Sequence, residues 1–273
     1  MTSLAHRRPI GSHLILITLS LVAVFPIYWM FVTSLKPANE IYSAALLPMQ
    51  PTLDNYAFAW SRIPMLRMLG NTFAMAGAQT LLQLITSVLA AYGFSRWQFP
   101  GSRLLFGLFA LTWLVPFQAT MIPNYVTLTQ FGWRNTLMGL IIPNMGSAFA
   151  VLLLYQTFKS FPQELVDAGR IDGASSWGIL WQVVLPNLRA AIASLGILLF
   201  ISAWNEYFWP LLVTSRVEDS VIQIGLQMFL TQDSSLWGPL MAAASSASLP
   251  ILVVYIILQR QVIESFVKSG LRS

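Results

Sequence analysis

Residues able to do chemistry are few in this sequence, and the common catalytic and nucleotide-binding patterns are missing. The 273 residues include no cysteine and two histidines, and His6 and His13 have no acidic neighbours at metal-ligand spacing. No Gly-x4-Gly-Lys-Ser/Thr run occurs, so we expect no P-loop and neither ATP nor Mg²⁺ bound by this chain. No Gly-x-Ser-x-Gly pattern for a serine nucleophile occurs either. The sequence therefore favours a protein that is not an enzyme.

A polar segment with the pattern of a helix lies at 160–188, between two apolar stretches, and we call this segment the elbow. Ser160 is followed by Pro162 and, three residues after the serine, by Gln163. This pattern predicts an N-cap and the first turn of a helix. Glu164 then lies near the positive end of the helix dipole, where a negative charge is stabilising.

A turn and a second short helix follow within the elbow. Asp167 and Arg170 are three residues apart and can form an ion pair on one helix face. Asp172-Gly173 is a turn signal, and the turn needs a residue that tolerates positive φ. The serine pair at 175–176 predicts the cap of the second helix.

The composition of the elbow indicates a docking surface. It is too polar to enter lipid and too apolar to remain free in water, so we expect a protein partner to cover it. A helix lying in the lipid headgroup layer is the alternative, although such helices usually have a basic polar face, whereas this one carries both charges.

A second candidate site surrounds Glu206, which is the one acid within the predicted apolar spans. Ionisable groups at membrane depth usually face a cavity or a partner. Together with neighbouring aromatic rings, this acid could line a path for a polyol, whose hydroxyls need hydrogen bonds. An interfacial anchor paired with a neighbouring helix remains the alternative. The candidate path residues are Trp204, Asn205, Glu206, Tyr207, Asn144 and Tyr125.

The elements that must position these residues are membrane spans. Hydrophobic residues make up 56% of the chain and charged residues 9%, whereas soluble domains carry about 25% charged residues. About 20 apolar residues cross a bilayer as a helix, which satisfies every backbone polar group internally. Six stretches qualify: 14–35, 69–92, 104–122, 137–158, 190–212 and 239–259. Prolines within these stretches predict kinks, with unwinding along a transport path as the alternative.

The charge distribution predicts the orientation. With the N-terminus inside, ten of the 15 Lys and Arg residues fall in inner segments, as the positive-inside rule expects. The N-terminus (1–13), the elbow and the tail (260–273) are then cytosolic, and the loop at 36–68 is outside. The basic residues form no stripe, so the net charge of +5 does not indicate a nucleic-acid partner.

The elbow resembles the EAA motif of binding-protein-dependent ABC importer permeases, Glu-Ala-Ala-x3-Gly-x9-Ile-x-Leu-Pro. This chain has Asp-Ala-Gly at 167–169, Gly173, and Val-x-Leu-Pro at 183–186. The run WNEYFWP at 204–210 and the ending LQRQVIESFVKSG are similar to the carbohydrate-uptake branch, which includes the inner maltose permease and glycerol-3-phosphate permeases. Aspartate replaces the motif's glutamate, and glycine replaces its second alanine, which disfavours the helix by up to about 1 kcal/mol.

The resemblance implies an all-α bundle of six transmembrane helices with a cytosolic coupling helix, as in type I ABC importer permeases, and a core domain at 69–259. It implies a bacterial inner-membrane subunit that translocates a sugar, oligosaccharide or glycerol-3-phosphate-type solute. The implied partners are a second homologous permease subunit, two ATPase subunits that bind ATP and Mg²⁺, and an extracytoplasmic solute-binding protein. The implied ATPase-coupling residues are Glu164, Asp167, Ala168, Gly169, Arg170, Asp172, Gly173, Ala174, Leu185 and Pro186.

A self-sufficient secondary transporter or channel is the alternative function. It predicts uptake by this chain alone, driven by a proton or sodium gradient. The single acid within the predicted spans and the elbow, which has no role in such a machine, both disfavour it.

Overall fold

The computed structural model describes residues 10–230 and 236–270, which form helices and loops with no β-strand. The all-α fold expected from the sequence is confirmed. In chain order the helices are α1 (Ile10–Ser34), α2 (Asp54–Arg62), α3 (Met65–Arg96), α4 (Ser102–Thr112), α5 (Phe117–Gln130), α6 (Leu137–Ile141), α7 (Ala148–Lys159), α8 (Gln163–Ile171), α9 (Ser176–Asn187), α10 (Arg189–Trp204), α11 (Phe208–Val213), α12 (Ile222–Gln227) and α13 (Trp237–Gly270).

Within the described ranges, three helices are long and apolar enough to cross a bilayer: α1, α3 and the Trp237–Ile257 part of α13. Three helix pairs also qualify when each pair is taken as one bent span. The bends are 93° between α4 and α5, 46° between α6 with its following 3-10 turn and α7, and 80° between α9 and α10. The described chain therefore provides up to six spans, the number expected.

The prolines in the apolar stretches behave in two ways. Pro26 and Pro250 lie inside continuous helices, α1 and α13. Pro116 precedes α5 at the 93° bend, and Pro143 lies in the 3-10 turn at the 46° bend. Proline has no backbone N–H to donate. A bend at a proline therefore breaks fewer backbone hydrogen bonds than a bend elsewhere in a helix. Of these four prolines, Pro116 and Pro143 thus accompany breaks in a helix.

The chain divides into two compact units, one made of residues up to Met65 with Leu226–Leu249, the other of Leu66–Gly225 with the chain from Pro250. In the first unit the loop after α1 is fixed by polar contacts. Lys36 is fully buried, donates to the Ser43 carbonyl at 2.9 Å, and lies 4.4 Å from the centre of the Trp29 ring. Asn55 donates to the Lys36 carbonyl at 2.8 Å. The predicted outer loop at 36–68 is therefore ordered and contains α2.

The second unit contains both candidate sites, and its largest cluster of buried apolar residues lies where α3, α7, α8, α9 and α10 meet. Its members include Phe158 on α7, Val166 on α8, Leu180 on α9 and Leu195 on α10. Burial of such side chains stabilises each helix contact by roughly 1.5–3 kcal/mol per large residue. This cluster fixes the elbow to the apolar helices on either side of it.

Candidate functional site

The two arms of the elbow are α8 and α9, and they pack closely against each other. Val166 and Gly169 form the buried face of α8, and Ile179 and Val184 are buried on α9. A methyl group built on Gly169 would lie 3.3 Å from Cγ1 of Ile179. The glycine that replaces the motif's alanine therefore allows α8 and α9 to approach. An alanine at this position would require Ile179 to shift by a few tenths of an ångström.

The turn between the arms has the geometry of a Schellman motif. Gly173 has φ of +81°, its N–H donates to the Arg170 carbonyl, and the Ala174 N–H donates to the Gly169 carbonyl. No atom lies within 4 Å of the position of a Cβ at Gly173, so the backbone conformation rather than space requires glycine here. The predicted positive φ is confirmed. Of the serine pair predicted to cap α9, Ser175 is the cap, since its Oγ accepts from the Gly178 N–H.

The predicted start of α8 is wrong by two residues. Pro162 is the N-cap residue, and Gln163 begins the helix. Ser160 instead ends α7, where its backbone N–H bonds to the Gln156 carbonyl and its hydroxyl donates to Thr157. A serine shortly before a proline, such as Ser160 before Pro162, is compatible with the end of one helix and with the start of the next. In this structure Ser160 belongs to the end of α7.

The end of α3 holds both arms of the elbow, a feature that local sequence patterns did not indicate. Arg96 donates to the Phe158 carbonyl at 3.1 Å and to the side-chain oxygen of Gln163. Gln163 in turn donates to Asp167 at 3.1 Å. On the other arm, the hydroxyl of Tyr92 donates to the Ser176 carbonyl at 3.1 Å. A span and both elbow helices are thus joined by side-chain hydrogen bonds.

The outer face of α8 presents charged and apolar groups together. Asp167 and Arg170 form the predicted ion pair at 3.1 Å, with both side chains about half exposed at 52%. An exposed pair of this kind contributes less than about 1 kcal/mol to stability. Leu165 is 45% exposed and Ile171 87% exposed. Glu164, Ala168 and Asp172 are also exposed.

The last two residues of the motif lie away from this face, in α9. Leu185 is partly buried against the core, and Pro186 is exposed near the C-terminal end of the helix. Residues Ile179–Val184, just before them, form a π-helical stretch. Such a local change of register re-satisfies backbone groups that a proline leaves free. The motif therefore spans two helices, and its Leu-Pro end serves α9 and the bend to α10.

The second candidate site is a break in the predicted span 190–212. Helix α10 ends at Trp204 and α11 begins at Phe208. Glu206 accepts a hydrogen bond from the Trp209 N–H at 3.2 Å. The acid therefore caps the start of α11, and no ion pair to another helix is found for it in the described chain.

The side chains around the break differ in exposure. Trp204 is buried, with 1% of its surface exposed, against Phe200 and Phe73. Asn205 is exposed and donates to the Ile201 carbonyl at 2.8 Å. Tyr207 is half-buried against Phe208. Of the break residues, Asn205 is exposed, and Glu206 and Tyr207 are both half-buried.

The two remaining path candidates lie in different surroundings. Tyr125 packs with the cluster around Trp209, whose indole donates to the Gly139 carbonyl at 3.0 Å. Asn144 is bonded to α3 instead, since its carbonyl accepts from Gln83 at 2.8 Å. The structure therefore brings Tyr125 towards the break through Trp209 and gives Asn144 no described hydrogen bond to it.

Gln223 is a path candidate that the sequence analysis missed. Its amide donates to the Trp204 carbonyl at 3.3 Å and reaches Asn205 at 3.5 Å. No short-range sequence pattern places α12 beside the end of α10, so this contact had no signal in the sequence. Among the described residues, no group of three His, Asp or Glu side chains could hold a metal ion.

Comparison with known proteins agrees with this architecture. A family model described as "Binding-protein-dependent transport system inner membrane component" matches residues 83–267. The sn-glycerol-3-phosphate transport system permease protein UgpE of Brucella abortus (strain 2308) is 32% identical over 277 residues, covering 96% of this chain and 98% of the relative. The lactose transport system permease protein LacG of Rhizobium radiobacter is 29% identical over 270 residues, covering 98% and 99%.

A solved structure is similar as well. One chain of a bacterial ABC transporter involved in the import of the acidic polysaccharide alginate is 25% identical, with a TM-score of 0.79 over 92% of this chain and 95% of that chain. None of these relatives supports a self-sufficient secondary transporter. The family inferred from the EAA-like motif is confirmed: the chain belongs to the binding-protein-dependent transport system inner membrane components, the multi-pass permease subunits of ABC importers.

Proposed function

We propose that this permease translocates a sugar, an oligosaccharide or a glycerol-3-phosphate-type solute across the inner membrane. The observation that carries the solute class is the full-length similarity to permeases named for glycerol 3-phosphate and for lactose. The solute is delivered by an extracytoplasmic binding protein, and a second homologous permease subunit forms the other half of the path. This chain binds neither ATP nor Mg²⁺; two partner ATPase subunits bind and hydrolyse the nucleotide.

The elbow is the site at which conformational changes of the ATPase are transmitted to this chain. Its outer face combines exposed leucine and isoleucine with the Asp167–Arg170 pair, a mixture suited to a protein cleft rather than to lipid. Its inner face is joined to α3 by Arg96 and Tyr92. A displacement of α8 by the ATPase therefore reaches a membrane-spanning helix through hydrogen bonds and core packing rather than through a free loop.

The break at 205–207 is the proposed point of solute contact on the path. Transporters place binding sites at discontinuous helices, where backbone groups are free of the helix ladder. Asn205 offers an exposed amide, Tyr207 a hydroxyl on an aromatic ring, and Gln223 a second amide. Such groups suit a polyol or a sugar, whose hydroxyls accept and donate hydrogen bonds and whose ring faces stack on aromatic side chains.

Uptake by reconstituted importer tests this proposal. Proteoliposomes containing the chain, the second permease and the ATPases are given binding protein and radiolabelled glycerol 3-phosphate or lactose, with a wider sugar panel in parallel. We expect uptake of at least one of these solutes that requires both ATP and the binding protein. Uptake by the chain alone, driven by an imposed proton or sodium gradient, would instead establish the secondary transporter.

A further inference from the structure

An apolar groove of about 620 Å³ lies beside the second arm of the elbow, within the unit formed by Leu66–Gly225 and the chain from Pro250, and none of its lining residues belongs to α8 or to the break at 205–207. Its walls are one face of α3, one face of α10, part of α9 and Val254 of α13. Leu84 and Val88 line it from α3, and Ile192 and Phe200 from α10. These walls are hydrocarbon almost throughout, which excludes a sugar or a polyol as the natural occupant.

One end of the groove carries a different chemistry. Trp177, Trp181 and Leu185 repeat every four residues along the groove-facing side of α9, and Arg189 follows at the start of α10. The two indole rings are 5.7 Å apart and are each more than half exposed. Tryptophan and arginine at the end of an apolar surface are typical of the water–lipid boundary.

Arg189 is the one charged residue among those that line the groove in the described part of the chain. Its side chain is exposed and makes no ion pair with any described acid. Asp167 and Asp219, the two acids in described ion pairs, are bonded to Arg170 and Arg67. The groove therefore offers an unneutralised cation next to hydrocarbon, and its complement is an anion attached to an apolar chain.

The length of the groove fits one leaflet. Its α10 wall runs from Arg189 to Phe200, and eleven residues at 1.5 Å each extend about 16 Å. The hydrocarbon core of a bilayer is about 30 Å thick, so one leaflet contributes about 15 Å. An acyl chain that begins beside Arg189 would thus end near Phe200 without crossing the bilayer midplane.

We propose that this groove binds an anionic phospholipid from the leaflet on the elbow side. One acyl chain lies between α3 and α10, and the phosphate group bonds to Arg189 beside the two indoles. Basic pockets between spans bind acidic headgroups in this way. A helix of the second permease subunit is the rival occupant, but an apolar helix would leave the arginine without a counter-charge in a site that loses its water.

Native mass spectrometry of the assembled importer tests the charge requirement. The complex is equilibrated with equal amounts of phosphatidylglycerol and phosphatidylcholine in mild detergent, and the lipids retained are counted. We expect the wild-type complex to retain phosphatidylglycerol several-fold over phosphatidylcholine. Arg189→Gln should abolish that preference and Arg189→Lys should keep it. The matched control is Arg103→Gln, a surface arginine on α4 outside the groove, which should leave the preference intact.

Fluorescence quenching locates the acyl chain. Phosphatidylglycerol with brominated chains should quench emission from the wild-type complex more than from Trp181→Phe, because bromine quenches only an indole it contacts. Equal retention of the two lipids, or loss of the preference in Arg103→Gln as well, would contradict the proposal. Equal quenching of wild type and Trp181→Phe would show that no acyl chain lies against Trp181 and would overturn the groove as the lipid site. These readouts measure lipid binding and do not depend on the solute proposed above.

Discussion

At the scale of single residues, Gly173 shows how much one backbone angle matters in this protein. Its φ of +81° closes the turn that ends α8, and no neighbouring atom limits the size of a side chain there. A non-glycine residue in this conformation costs roughly 1–2 kcal/mol, and a β-branched one more. Asparagine is the residue that tolerates this conformation best after glycine.

We therefore expect Gly173→Val to uncouple ATP hydrolysis from transport, whereas Gly173→Asn should remain close to wild type. The quantity to measure is solute transported per ATP hydrolysed in proteoliposomes, with complex assembly checked by co-purification of the ATPase. Because both substitutions add a side chain in open space, a difference between them reports backbone strain. Equal coupling in the two variants would show that the backbone conformation at Gly173 is not required for coupling.

Substitution of Glu206 tests whether this side chain both caps α11 and contributes to the solute path. Its carboxylate accepts from the Trp209 N–H, and a glutamine oxygen can do the same. We expect Glu206→Gln to keep the thermal stability of the complex and to raise the KM for a neutral sugar several-fold, because a carboxylate accepts hydrogen bonds from sugar hydroxyls more strongly than an amide does. Glu206→Ala should also lower stability by about 0.5–2 kcal/mol, the usual cost of losing a helix cap.

Glu218→Gln is the control for Glu206, since Glu218 is an exposed acid in the 3-10 turn Val217–Asp219, outside the break. Glu218→Gln should change neither the thermal stability of the complex nor the KM for solute. An unchanged KM in Glu206→Gln would leave helix capping as the role of Glu206, and the path would then be assigned to Asn205, Tyr207 and Gln223.

Among the helices, the connection from α3 to the elbow decides between two roles. The elbow either transmits the movement of the ATPase to α3 or serves only as a binding surface for the ATPase. Arg96→Gln removes the bond to the Phe158 carbonyl at the end of α7 and the bond to Gln163 at the start of α8. We expect amide hydrogen exchange within α8 to increase several-fold and transport per ATP to fall. Tyr92→Phe should affect α9 instead, since it removes the hydroxyl that bonds to Ser176.

The same Arg103→Gln variant serves as the control for Arg96, because Arg103 is an exposed arginine that lies outside the elbow. Faster exchange without any loss of coupling would show that the hydrogen bonds stabilise the elbow but do not transmit force. No change in either quantity would assign the support of α8 to apolar packing around Val166 alone.

The elbow also shows which features of an element a sequence can predict. The turn at Gly173, the cap at Ser175 and the Asp167–Arg170 pair follow from residues at most four positions apart, and all three were predicted correctly. The Arg96–Gln163 bond joins residues 67 positions apart, so no local pattern reveals it. Ser160 was misassigned because its local pattern fits two adjacent helices equally well.

The breaks in the apolar stretches could not be predicted from hydropathy, for a different reason. A hydropathy window averages over about 20 residues, whereas the break between α10 and α11 occupies three, at 205–207. Glu206 marked that position as chemically unusual. It did not indicate whether the helix continued, because that depends on hydrogen bonds such as the one to Trp209.

At the scale of the whole molecule, the orientation in the membrane is the prediction on which the coupling proposal depends. The elbow must face the cytosol to meet the ATPase, and the loop at 36–68 must face the opposite side to meet a binding protein. The excess of Lys and Arg in the inner segments supports this arrangement. It places Ile171 and Met49, which are 87% and 84% exposed, on opposite sides of the membrane.

The absence of cysteine from the sequence makes this arrangement directly testable, since a single introduced thiol in this chain has no background. We expect Met49→Cys to react with a membrane-impermeant maleimide in intact spheroplasts and Ile171→Cys to react only in inverted vesicles. Both positions are exposed, so neither substitution removes a buried contact. If bound ATPase subunits cover the elbow, stripping them from the inverted vesicles should increase the labelling at Ile171→Cys. Labelling of Ile171→Cys in intact spheroplasts would invert the topology and exclude the elbow as the ATPase contact.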